Sequence, residues 1–164
     1  MDANRVTDDR GGVEIAANIG PAAIPRLRIS VVREGRARYS EPLRLSADVF
    51  RFLQRKAARW DREHFLSLAL DGRNRVLGFE IVSIGTLTAS LVHPREVFKA
   101  AILANAAAII VAHNHPSGDP TPSAEDRAIT QRLKDAGELL GIRLLDHVVL
   151  GERGYWSFAD QGEL

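Results

Sequence analysis

Two histidines one residue apart, His113 and His115, followed at a short distance by Ser123 and Asp126, carry most of the chemistry open to this chain. Side chains at i and i+2 of an extended segment point to one face, so both imidazoles can reach a single metal ion. Zinc with three protein ligands needs one more N or O donor and keeps a fourth position for water. The chain has no cysteine. That removes disulfides, thiolate ligands, a thiol nucleophile and the sulfur-ligated zinc site of cytidine deaminases. The oxygen donors close by are Asp119, Glu125 and Asp126. Asp126 is the attractive one, because it falls in the first turn of a helix whose N-terminus can face the histidines.

Each half of this pattern has a plainer explanation. A serine followed three residues later by an acid is a helix cap in many proteins without an active site. A histidine pair in a loop is often just solvated. Together they favour a metal, since the histidines need an acidic partner and the helix start offers one. A hydrolytic zinc site also needs a carboxylate that is not a ligand, to move protons between water and the leaving group. Glu63, Glu80 and Glu96 are the candidates, and residue pattern alone does not choose among them.

The elements around these residues follow from periodicity and breakers. Ser46 reads as an N-cap, and Val49, Phe50, Leu53, Ala57 and Trp60 mark one apolar helical stripe behind it. Phe65 to Leu70 and Val76 to Ile84 read as a hairpin turned by Asp71-Gly72-Arg73-Asn74. Leu87 to Val92 reads as a short extended piece. Pro94 suits a first helical turn, with Val97, Phe98, Ala101 and Ile102 as the stripe of a helix ending near Asn105. Ala108 to Ala112 has the profile of a central strand covered on both faces. Ser123 starts a helix that Gly141 stops. Ile142 to Leu145 and Val148 to Leu150 read as one broken strand or two short ones, and Tyr155, Trp156 and Phe158 close the sheet. Residues 1–25 read as a flexible lead-in with a turn near Val13 to Ile19, and Arg28 to Val32 with Arg38 to Ser40 as an edge hairpin. The expected class is an α/β sandwich with strands of mixed direction.

The segment His113-Asn114-His115-Pro116-Ser117-Gly118, followed by Ser123 and Asp126, resembles the signature of the RadC-like branch of the JAB/MPN/JAMM metalloprotein superfamily. In that pattern a remote glutamate precedes His-x-His, seven residues, Ser, two residues and Asp. The flanks His93-Pro94-Arg95-Glu96-Val97-Phe98 and Leu145-Asp146-His147-Val148-Val149 resemble it too. The resemblance covers residues 26–164 as one RadC-like JAB/MPN domain and implies a deaminase-like curved mixed sheet flanked by helices. It implies Zn2+ held by His113, His115 and Asp126, with Ser123 stabilising an oxyanion and Glu63 as the remote glutamate, ahead of Glu80 and Glu96. The helix-hairpin-helix region of longer RadC proteins has no counterpart in residues 1–25.

The implied activity is hydrolysis of a peptide or isopeptide bond by a metal-activated water, on a peptide or ubiquitin-like protein substrate. Two other readings stand beside it: a non-enzymatic scaffold, and a nucleic-acid-associated protein of a mobile element, each with a structural metal. Net charge is only +1, yet residues 1–60 carry twelve Arg/Lys against seven Asp/Glu. Weak phosphate contact through Arg26, Arg28, Arg33, Arg36 and Arg38 is the expectation from that excess. Asp146 with His147 reads as a hydrogen-bonded strand-end pair or as support for the zinc ligands. Asn114, facing away from the histidines, reads as a backbone anchor. No stretch is long and apolar enough for a bilayer, and the N-terminus lacks the form of a signal peptide, so cytoplasm is the expected location. The oligomeric state is open.

Overall fold

The apolar run ahead of the histidines forms the middle of a five-stranded sheet. The computed structural model describes residues 42–85 and 92–164, and two further short strands, β1 (Val6–Thr7) and β2 (Val13–Glu14). Then come α1 (Ser46–Ala57), β3 (His64–Leu70), β4 (Val76–Ile84), α2 (Pro94–Leu103), β5 (Ala108–Asn114), α3 (Ala124–Leu140), β6 (Arg143–Leu150) and β7 (Tyr155–Ser157). The sheet order is β4-β3-β5-β6-β7. Only β5 and β6 run parallel; the other neighbours are antiparallel. This is the mixed α/β architecture expected from the sequence, consistent with a JAB-type fold.

Strands β3 and β5 are buried at all seven positions each, as continuous apolar runs require when both faces are covered. One face packs Phe65, Ile109 and Val111 against Val97 and Phe98 of α2 and Ile129 and Leu133 of α3. The other packs Leu66, Leu68, Ile110 and Ala112 against Val49 and Leu53 of α1. Helix α3 is the crossover that a parallel pair demands. It leaves the C-terminal end of β5, so its own N-terminus stands beside that end.

Several expectations change. Residue Leu45, not Ser46, is the N-cap of α1, and Asp48 accepts from its N–H at 3.0 Å. Ser46 opens the helix and its hydroxyl bonds Tyr155 (3.1 Å) and Asp160 instead. The helix stops at Ala57, short of Trp60. Ile102, placed in the buried stripe of α2, is 51% exposed. Where a broken strand was expected, β6 is continuous. Its register against β5 slips by one residue between Leu144 and Asp146, so Leu145 is a bulge. Residues 1–30 form a unit of their own, in which β1 and β2 pair antiparallel. Val13 and Glu14 are thus extended, and Ile15 to Ile19 of the expected turn lie outside the described residues. The edge hairpin of Arg28 to Ser40, the five arginines proposed for phosphate and most of Leu87 to Val92 lie outside the described residues. No helix among the described residues is long and apolar enough to cross a membrane.

Candidate metal centre

Three chain segments meet at the C-terminal end of β5. The antiparallel register pairs Phe65 with His113, so Glu63, two residues before, stands opposite His115, two residues beyond. The β5–α3 crossover brings Ser123 and Asp126 to the same end. Open α/β sheets place ligands at such strand ends as a rule.

The donor atoms converge. His113 Nε2 lies 3.0 Å from His115 Nε2 and 3.2 Å from Asp126 Oδ1, and His115 Nε2 lies 3.5 Å from Asp126 Oδ2. Tetrahedral zinc with its usual bond lengths of about 2.0–2.1 Å has edges of ~3.3 Å. The two separations from His113 fall near that edge, while the oxygen nearest His115 is the other one of the same carboxylate, so the donor types suit a zinc-sized ion and the acid bridges the two rings with its two oxygens. A carboxylate oxygen of Glu63 lies within 4.8 Å of both histidine ligand nitrogens. Glu96 is occupied elsewhere, by Lys99 at 2.6 Å and Arg95 at 3.2 Å. Glu80 pairs with Ser67 across the hairpin, and one of its buried carboxylate oxygens has no hydrogen-bond partner. Of the three glutamates weighed from the sequence, Glu63 is the one grouped with the histidines.

His115 is also held from behind: its Nδ1 lies 2.7 Å from the Asp119 carbonyl, which can only accept, so Nδ1 carries a proton and in the neutral ring Nε2 is the bare nitrogen. The loop between is braced by the β6–β7 turn. Gly118 (φ 84°) passes so close to Gly151 that a Cβ there would stand 2.5 Å from the Gly118 carbonyl oxygen and 2.8 Å from Pro120 Cδ. Glu152 N–H donates to that carbonyl at 2.9 Å. Gly118 holds a left-handed backbone, which glycine adopts without a Cβ clash.

The helix start is a cap, and its acid also faces the histidines. Asp126 N–H donates to Ser123 Oγ at 3.1 Å, and Asp126 Oδ2 accepts from Ser123 N–H and Ser123 Oγ–H at 2.7 Å each. That is a capping box, with Asp126 only 2% exposed. Its other oxygen turns to His113. Burial pushes the Asp126 carboxyl up, but the contacts from His113 and His115 and the Ser123 hydroxyl outweigh it and hold the group far below the usual carboxylate range. Asp126 in turn raises the His115 pKa, against a smaller opposing push from burial.

Asn114 anchors the backbone, but of a different segment from its own loop. Its Oδ1 accepts from His64 N–H at 2.8 Å and its Nδ2 donates to the Arg62 carbonyl at 3.1 Å. The two bonds bracket Glu63. His64, itself 8% exposed, stacks on Trp60 at 4.5 Å. A cavity of about 680 Å³ opens beside His115 and Asn114, with Phe50, Trp60, Pro116 and Glu152 in its walls.

His147 was under-read in the sequence. It is fully buried against His113, Phe65 and Phe158, with its ring 4.9 Å from that of His113. The Leu145 bulge is the reason. Unbroken alternation from Leu144 would turn His147 to the α1 face, and the bulge turns it to the face of His113. Asp146 meets its neighbour through the backbone and not the ring: it accepts from Ser157 Oγ–H (2.7 Å) and Ala159 N–H (3.0 Å), the His147 backbone N–H adds a smaller contact, and burial raises its pKa.

The model of the RadC-like JAB domain matches residues 43–163. The UPF0758 protein STH371 of Symbiobacterium thermophilum is 48% identical over 156 residues, covering 92% of this chain and 66% of the relative. UPF0758 proteins of Thermotoga maritima and Pelobacter propionicus are 50% and 58% identical, over 77% and 63% of this chain and 57% and 45% of theirs. The chain thus spans about half to two thirds of the length of these relatives. It belongs to the RadC-like JAB domain family.

Proposed function

We propose that the chain is a zinc-dependent hydrolase of amide bonds, peptide or isopeptide. The observation that carries this reading is the gathering of His113, His115 and the Asp126 carboxylate within 3.5 Å of one another, with a Glu63 carboxylate oxygen within 4.8 Å of both histidine nitrogens. Bound there, zinc would supply Lewis acidity toward a carbonyl and lower the pKa of a water. Glu63 would take the proton from the attacking water and return it to the departing amine, the role of a non-ligating carboxylate. Asn114 would hold Glu63 at that distance through the backbone on either side. Ser123 would help the developing oxyanion, once its hydroxyl hydrogen leaves Asp126 for the substrate oxygen. The cavity beside His115 is of a size that takes a few residues of an extended peptide. A ubiquitin-like protein with a flexible C-terminal tail is the partner class that suits such an opening.

The test combines metal content with turnover of internally quenched peptide libraries and ubiquitin-like fusions. Glu63→Gln should keep zinc near one equivalent and lose hydrolysis by at least 100-fold, on the order of a general-base contribution. His113→Ala should lose both. Full hydrolysis in Glu63→Gln would remove that carboxylate from the mechanism, and a wild-type protein that takes up no zinc would end the reading altogether.

A further inference from the structure

Behind the metal-facing side of His113, a hydrogen-bonded path runs into the protein and comes back to the same site. His113 Nδ1 lies 2.8 Å from His147 Nε2, and His147 Nδ1 lies 2.6 Å from Thr130 Oγ1. The Thr130 hydroxyl donates to the backbone carbonyl of Asp126 at 2.5 Å. His113 and His147 are 0% exposed and Thr130 is 2% exposed, so water does not compete for these contacts. The path starts on one candidate ligand and ends on the main chain of another.

One group in this path cannot donate, and it fixes the direction of every proton. The Asp126 carbonyl only accepts, so the single hydroxyl hydrogen of Thr130 goes to it. Thr130 Oγ1 is then left to accept, and His147 Nδ1 must carry the hydrogen it receives. A neutral His147 has a bare Nε2, which accepts from His113 Nδ1–H. A neutral His113 in turn has its bare nitrogen at Nε2, facing Asp126 and His115. The hydrogen on a helical threonine therefore decides which nitrogen of a strand histidine is free.

We propose that His147 and Thr130 are positioning residues that lock His113 in the tautomer with a bare Nε2, so that it meets a metal ion without first moving a proton. This rests on the metal-centre reading above. It pairs with the hold of the Asp119 carbonyl on His115, which leaves the second imidazole, when neutral, bare at Nε2 by a separate route. Partners of this kind orient a ligating ring and typically change metal affinity 10- to 100-fold when removed.

The experiment reads tautomers directly, by long-range 1H–15N spectra of the histidine side chains in the full chain, zinc-stripped and zinc-loaded, at mildly alkaline pH. His113 and His147 should both be protonated at Nδ1 in each state. Thr130→Val, close in shape but without a hydroxyl, should scramble both tautomers and weaken zinc binding about tenfold in a chelator competition; Thr130→Ser should restore both. A stripped wild-type protein with His113 protonated at Nε2 would overturn the proposal, as would wild-type zinc affinity in Thr130→Val. Should the wild type show the stated tautomers yet take up no zinc, the metal centre itself fails while the proton order in the path stands.

Discussion

Asp48 is the third residue of α1 and Asp126 the third of α3, and both carboxylates turn back on the residue before the helix. Asp48 accepts from Leu45 N–H and Arg44 N–H at 3.0 Å each and contacts the Arg51 guanidinium. Asp126 accepts from Ser123 N–H and Ser123 Oγ–H. The local chemistry is the same: an acid near the positive end of a helix dipole, satisfying amides that the helix leaves unpaired. What differs is the opposite wall. The Asp48 side chain is 15% exposed and its cationic partner is on its own helix. The Asp126 side chain is 3% exposed and faces two imidazoles delivered by the end of β5. A cap needs four consecutive residues; a metal centre needs a crossover that brings a helix start to a strand end.

The largest contrast should come from removing the two charges. Asp126→Asn keeps an oxygen for Ser123 N–H but turns an NH2 toward His113 and His115, so bound zinc should fall from near one equivalent to near none. Asp48→Asn should keep its zinc and cost at most about 1 kcal/mol of stability, the scale of a modified cap. Metal analysis and denaturant melts of both variants check this. Zinc retained in Asp126→Asn would make Asp126 a cap and nothing more.

This pair also shows what the sequence could and could not reveal. The strands β3, β4 and β5 and the cap of α3 were legible, because β-branched runs, a turn and Ser123 act over a few residues. Ser46 misled because Ser is a common N-cap, whereas here its hydroxyl is drawn to Tyr155 and Asp160, more than a hundred residues away. The spacing of His113, His115, Ser123 and Asp126 marked residues that the fold brings together, and the resemblance pointed to Glu63, but only the antiparallel register of β3 on β5 explains why Glu63 and not Glu80 stands near the histidines. His147 was hidden for a similar reason. Period-two alternation assigns it to the wrong face, and a bulge leaves no mark in the residues around Leu145.

Asn114 sharpens the contrast from the strand side, where it straps the segment that carries Glu63. Asn114→Ala leaves the His64 amide and the Arg62 carbonyl without these partners, one of them on a buried residue. The expected cost is about 1–3 kcal/mol in denaturant unfolding, with zinc content unchanged, because no ligand is removed. Stability equal to wild type would show that the segment around Glu63 is held by other means.

The smallest effect separates the two caps by pH. The backbone N–H groups of Arg44 and Leu45 hold the Asp48 pKa below its ordinary 3.8, with burial opposing and Arg51 adding to the depression. A carboxyl whose folded pKa is depressed contributes stability that is fully present above the unfolded value and is lost as pH falls through the folded one. Asp48→Asn has no such titration. The stability gap between wild type and Asp48→Asn should therefore stay constant near neutrality and narrow as pH falls below about 4. The narrowing should be shallow, because solvent screens a pair whose Arg51 is mostly exposed. Denaturant midpoints across that acid range test it. A gap that never narrows would mean the start of α1 depends on hydrogen-bond geometry alone, and that charge at a helix start matters in this protein only where β5 supplies something to receive it.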